Sequence, residues 1–228
     1  MSAEILAVPG IVEIAAVTGG AISGALHAKQ KRMDLMGIGI VAICTGVGGG
    51  AIRDVILGQS VPVFLIQNFV LMALIGAVAG YFFGSLVSEL EPAIYVLDTL
   101  LIGVWVVIGA EKALALDLPY SAAVFLGLTT AIGGGLLRDV LCRNIPTALM
   151  PGQWVAAAAI VAALLFVSLF ALTGNRPIAE VTAIVGATTL RALSARFHWI
   201  TPDAVDASER FRRWLGLGRE RTVRSPAS

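Results

Sequence analysis

The stretch TGVGGGAIRDVILGQ (Thr45–Gln59) returns as TAIGGGLLRDVLCRN (Thr130–Asn144), 85 residues further along the chain. Between Gly48–Ile56 and Gly133–Leu141 six of nine positions are identical. The same offset, without a gap, aligns Glu13 with Asp98 and Gly24-Ala25 with Gly109-Ala110. A unit that occurs twice must fold twice, so the architecture of one copy constrains the other. That architecture is set by seven apolar stretches, at about Gly10–Ala28, Leu35–Leu57, Phe64–Val87, Ala93–Glu111, Leu118–Cys142, Gln153–Thr173 and Ile178–Phe197. Each is close to the roughly 20 residues that cross a bilayer. Every copy of the repeat holds three of them, and an odd number of spans turns the second copy over relative to the first. The sequence thus predicts an all-α polytopic membrane protein of seven transmembrane helices. Residues 5–90 form one three-helix repeat, 91–175 its inverted counterpart, 176–198 a seventh helix and 199–228 an arginine-rich tail.

Composition removes the competing classes. Hydrophobic residues make up 57% of the 228 and charged residues 14%, against about 45–50% and 25% in soluble domains. Disorder is excluded by the abundance of buriable side chains. A net charge of +1, with no basic, aromatic-interleaved face, excludes nucleic acid as a partner. Cys44 and Cys142 have no CxxC spacing or neighbouring His, and His27 and His198 stand alone, so neither a disulfide framework nor a metal site is expected. No catalytic set is visible and GGGxxRD lacks the Lys-Ser/Thr of a phosphate loop, so neither an enzyme nor a cofactor is expected. Glu4 stands where a signal peptide carries Lys or Arg, and the first apolar stretch is read as a span.

Lys and Arg orient the spans. With the N-terminus outside, 11 basic residues fall on the inner side: Lys29, Lys31, Arg32, Arg143, Arg196 and six tail arginines. Only Lys112 and Arg176 fall outside, while Arg53, Arg138 and Arg191 lie within spans. The expected placement is a multi-pass protein of a bacterial inner membrane, N-terminus out and C-terminus cytoplasmic. Its tail, with Arg210, Arg212, Arg213, Arg219, Arg221 and Arg224, either attracts anionic lipid headgroups or reinforces topology.

Candidate functional residues follow the repeat. Gly48, Gly49, Gly50 and Gly133, Gly134, Gly135 interrupt spans two and five, at roughly 1 kcal/mol per glycine relative to Ala. Two matched breaks predict a pathway lined by freed carbonyls and half-helix ends; close helix packing is the alternative. Arg53-Asp54 and Arg138-Asp139 form the expected charge network. Adjacent helical residues point in different directions, so the expected pairs run across the repeats: Arg53 with Asp139, and Arg138 with Asp54. The alternative is that each arginine satisfies carbonyls at the glycine break. Glu13 and Asp98, charged in apolar runs, are candidates for attracting cations. Lys112, at the outer end of span four, is read as snorkelling to the surface. Thr45 and Thr130, with Thr18, Ser23, Thr99 and Thr129, either line a hydrophilic path or back-bond to their own helices.

Together GGGAIRD, GGGLLRD, DVLCRNIP, VIGAEKAL and RALSARF resemble one family over about residues 5–200. It is the bacterial membrane-protein family with paired glycine-transporter-type domains, the prokaryotic branch of the trimeric intracellular cation (TRIC) channels. The resemblance implies a homotrimer in which each protomer has its own pore for K⁺ or Na⁺, shaped by glycine-rich kinks in spans two and five. It also implies that Lys112 corresponds to a span-four lysine linked to gating. Animal members carry a basic lipid-binding motif on span two, where this chain has GGGAIRD. A passive K⁺ channel is the expected function. A secondary transporter of a small solute such as glycine is the alternative.

Overall fold

The computed structural model describes residues 10–59, 68–83, 87–150, 154–197, 199, 211 and 214–215. Among these the regular structure is entirely helical. Seven α-helices follow in chain order: α1 (Gly10–Gln30), α2 (Leu35–Ile56), α3 (Phe69–Phe83), α4 (Val87–Ala115), α5 (Tyr120–Leu141), α6 (Val155–Thr173) and α7 (Arg176–Arg196). A short 3₁₀ turn at Thr147–Leu149 joins α5 to α6. The seven expected spans each meet a helix. The tail arginines, His198 and the outer ends of the third span lie outside the described residues. Five helices (α1, α2, α5, α6 and α7) are long and apolar enough to cross a membrane. One boundary differs: α4 begins at Val87, so residues 88–92, left between the third and fourth apolar stretches, belong to the helix.

Local chemistry sets the helix ends. The Asp34 carboxylate caps α2 by accepting from the Gly37 N–H at 2.7 Å, and the Asn175 side chain caps α7 by accepting from Ile178 N–H at 3.2 Å. The repeat extends into the C-terminal caps of α2 and α5. Gln59 N–H donates to Asp54 C=O at 3.1 Å, as Asn144 N–H does to Asp139 C=O at 2.8 Å. Each chain reversal uses a left-handed residue, Gly58 in one copy and Arg143 in the other.

The glycine triplets do not break their helices, which corrects the expectation of freed carbonyls. Both α2 and α5 run 22 residues as unbroken α-helix through Gly48–Gly50 and Gly133–Gly135. Hydrocarbon offers a released N–H or C=O no other partner, so the helical bonds are kept. The glycines instead allow two backbones to meet. A Cβ on Gly49 would collide with the carbonyl oxygen of Thr130, and one on Gly134 with that of Thr45. Residue 45 thus faces 134 while 49 faces 130, so α2 and α5 cross antiparallel, with the triplets at the crossing.

Around this crossing α1 packs on α2 and α3, α4 on α5, and α7 on α4 and α6. Small residues make the seams. Gly24 meets the Thr45 side chain and Gly109 meets that of Thr130, which extends the repeat into packing between helices. Large apolar side chains face outward instead, among them Leu71, Leu74, Val78, Phe125, Leu164, Leu172 and Val185. Such a surface suits lipid and not water.

Candidate functional site

Antiparallel crossing sends the two Arg-Asp pairs to opposite ends of the bundle. Each arginine lies about five residues beyond the crossing, which separates the two along the axis by roughly 15 Å at 1.5 Å per residue. The expected pairs Arg53–Asp139 and Arg138–Asp54 therefore do not form. Each arginine bonds its own neighbour: Arg53 Nε donates to Asp54 Oδ1 at 2.9 Å and Arg138 Nε to Asp139 Oδ1 at 2.9 Å. A guanidinium on a three-carbon stem can fold back along the helix, which Cβ directions alone do not reveal.

At one end Asp54 serves two cations, because Lys112 Nζ of α4 also donates to its Oδ1 at 2.9 Å. This ion pair joins the two halves of the chain. Lys112 is buried and does not reach the surface, contrary to the snorkelling account. Glu13 is buried here too, and it lines a pocket of about 10 Å³ with Arg53, Asp54, Phe69 and Trp105. Carboxylates and cations balance, as a low-dielectric setting requires.

The other end is open. A cavity of about 430 Å³ lies among α1, α2, α4, α5 and α7, walled by Thr45, Gly49, Gly50, Thr130, Gly134 and Gly135. His27, Asp98, Arg138 and Arg191 are its charged or titratable lining. Arg138 Nη1 donates to Ser23 Oγ at 3.0 Å and to Asp98 Oδ2 at 3.3 Å. The second oxygen of Asp139 accepts from the Thr147 N–H and hydroxyl at 2.8 and 2.9 Å. Gly46, Gly50 and Trp105 line both cavities and stand between them.

The candidate hydroxyls do two things at once. Thr45 and Thr130 each donate to the carbonyl four residues back at 2.6 Å, and both line the large cavity. Thr18, Thr99 and Thr129 back-bond likewise, at 2.6–2.8 Å. Gly50 and Gly135 differ from their neighbours in the triplets. A Cβ there would meet only an arginine Nη2, at 3.7 and 3.9 Å, so these two face the cavity instead of a backbone.

Sequence reasoning passed over Arg191 and His27. Arg191 lies over the Tyr95 ring, 4.7 Å from its centroid, and is buried within α7. An arginine inside an apolar span was the available signal. His27 occupies the position that the 85-residue offset matches to Lys112, and extending the alignment to that column would have found it.

A family model described as Glycine transporter matches this chain twice, at residues 10–85 and 95–171, with starting points 85 residues apart. The chain belongs to this family. It is a membrane protein. A UPF0126 membrane protein of Vibrio cholerae is 32% identical over 185 residues, covering 80% of this chain and 77% of the relative. A UPF0126 membrane protein of Deinococcus radiodurans is 34% identical over 136 residues, 59% of this chain. That match spans 63% of the Deinococcus protein, less than two thirds of its length. Among solved structures, the TRIC trimeric intracellular cation channel orthologue from Rhodobacter sphaeroides is 31% identical with a TM-score of 0.77. The match covers 82% of this chain and 96% of that one, so the fold is TRIC-like.

Proposed function

We propose that this chain is a homotrimeric, passive channel for monovalent cations, K⁺ foremost, with one pathway in each protomer. The observation that carries the reading is the polar cavity of about 430 Å³ against the α2–α5 crossing, continued beyond Gly46, Gly50 and Trp105 by a pocket of about 10 Å³. Likeness to a cation channel over most of the chain supports it. In this reading the two repeats are inverted, the N-terminus is outside the inner membrane and the large cavity is the cytoplasmic vestibule. A cation entering it exchanges part of its hydration shell for threonine and carboxylate oxygens. The path is closed in this conformation where Lys112 bonds Asp54, and opening separates that pair.

Purified protein in planar bilayers tests the proposal. Discrete unitary currents that reverse near the K⁺ equilibrium potential in a KCl gradient are expected. Saturable, electrically silent uptake of glycine without unitary events would sink it and favour a transporter, the activity named in the family's description.

A further inference from the structure

The repeat gives the vestibule no lysine, because His27 stands where the other end of the bundle has Lys112, and a cation from the helix that belongs to neither repeat lines it instead. Three charged side chains, Asp98, Arg138 and Arg191, line it together with His27 and Tyr95. The charge of Arg138 is matched by Asp139 at 2.9 Å. What remains is the carboxylate of Asp98, whose side chain is 27% exposed, and the guanidinium of Arg191. Arg191 is only 4% exposed. It is held by the Tyr95 ring, and Tyr95 also donates its hydroxyl to the Arg191 carbonyl at 3.2 Å. Its Nε is buried without a hydrogen-bond partner, and among the described residues the guanidinium forms no ion pair within 4 Å.

We infer that Arg191 of α7 is a positioning residue for conduction: by placing a guanidinium in the vestibule it offsets Asp98 and lowers the concentration of cations at the mouth of the pathway. The inference rests on the channel reading. Confined charge in a low-dielectric cleft changes local ion concentration strongly. One charge more or less therefore changes current at low salt, while at 1 M salt the screening length falls to about 3 Å and the difference disappears. Tyr95 supplies the restraint, since a cation over an aromatic face keeps its charge while losing its freedom. Because α7 lies outside the repeats, it supplies a cation that the repeat, with His27 in place of Lys112, does not.

The test records unitary currents of Arg191→Gln in symmetric KCl from about 50 mM to 1 M and reversal potentials in a KCl gradient. Conductance at the lowest salt is expected to rise about two- to fivefold, with convergence on wild type at 1 M. The reversal potential is expected to move toward that of K⁺. Arg191→Lys, which keeps the charge, is expected to behave as wild type at every concentration. Should Arg191→Gln fail to assemble, Arg191→Met is read in the same way. Asp98→Asn is expected to lower low-salt conductance by a similar factor. Conducting wild type with unchanged low-salt currents in the neutral variants overturns the assignment of Arg191 alone. Equal changes at low and high salt also overturn it, since they mark a packing role. A wild-type protein that gives no unitary currents overturns the channel reading, and this inference with it.

Discussion

At the scale of single residues, Asp54 is a buried carboxylate held by two buried cations. Its Oδ1 accepts from Arg53 and from Lys112, each at 2.9 Å, and its side chain is 1% exposed. Asp54→Asn leaves two buried cations short of their counter-charge, which should destabilise the protein by about 3–5 kcal/mol. Lys112→Met keeps the Arg53–Asp54 pair neutral and should lose only about 1–2 kcal/mol, the scale of a hydrogen bond to a charged group. Thermal midpoints of the purified protein in detergent separate the two, and the double variant should recover part of the Asp54→Asn loss. Equal midpoints for the two single variants would show that Asp54 does not serve both cations. The repeat identified Arg53, Asp54, Arg138 and Asp139 from sequence, but it misdirected their partners. The antiparallel crossing of α2 and α5 places the two pairs at opposite ends, so the inversion expected from counting spans already forbids the cross-repeat bonds. Cross-pairing and inversion were incompatible expectations, and only the axial distance along the helices exposes the conflict.

At the scale of elements, the crossing of α2 and α5 explains why glycine occurs three times in a row. The first two glycines of each triplet face the other helix. Gly48 meets the Leu137 side chain at 2.5 Å and Gly49 the Thr130 carbonyl, and Gly133 lies 3.1 Å from the Gly49 Cα. These values describe an added Cβ, so even alanine is excluded at Gly49 and Gly134, where the obstacle is backbone. The third glycine faces open space. Gly49→Ala and Gly134→Ala should therefore each force the helices apart, by more than the 1–3 kcal/mol typical of overpacking. Gly50→Ala and Gly135→Ala should be tolerated and should gain up to about 1 kcal/mol of helix propensity. Differential scanning fluorimetry of the four variants checks this, and comparable losses at all four would refute the crossing geometry. Helix positions and the repeat were legible from hydropathy and spacing. Whether a triplet breaks a helix or packs it was not, because both demand the absence of a side chain and only the neighbour distinguishes them.

At the scale of the whole molecule, two similar halves produce unequal ends. The end bearing Glu13, Arg53, Asp54 and Lys112 encloses about 10 Å³, whereas the end bearing His27, Asp98, Arg138 and Arg191 opens to about 430 Å³. Under the offset Glu13 and Asp98 match as carboxylates, whereas Lys112 stands against His27. A lysine long enough to span to Asp54 closes one end, while the His27 imidazole bonds only the Ser23 carbonyl of its own helix at 2.8 Å and leaves the other open. The proposed orientation puts the open end at the cytoplasm, and this is checkable without recording a current. In a background with Cys44 and Cys142 replaced by serine, Gln30→Cys at the mouth and Leu101→Cys within the vestibule should react with a small, membrane-impermeant cationic thiol reagent. Inside-out vesicles should label both positions, and right-side-out vesicles neither. Labelling of Leu101→Cys from the outside would reverse the orientation. Labelling from both sides at comparable rates would mean that the Lys112–Asp54 end does not close the path, because a reagent reaching Leu101 from outside must first pass that pair and the wall of Gly46, Gly50 and Trp105.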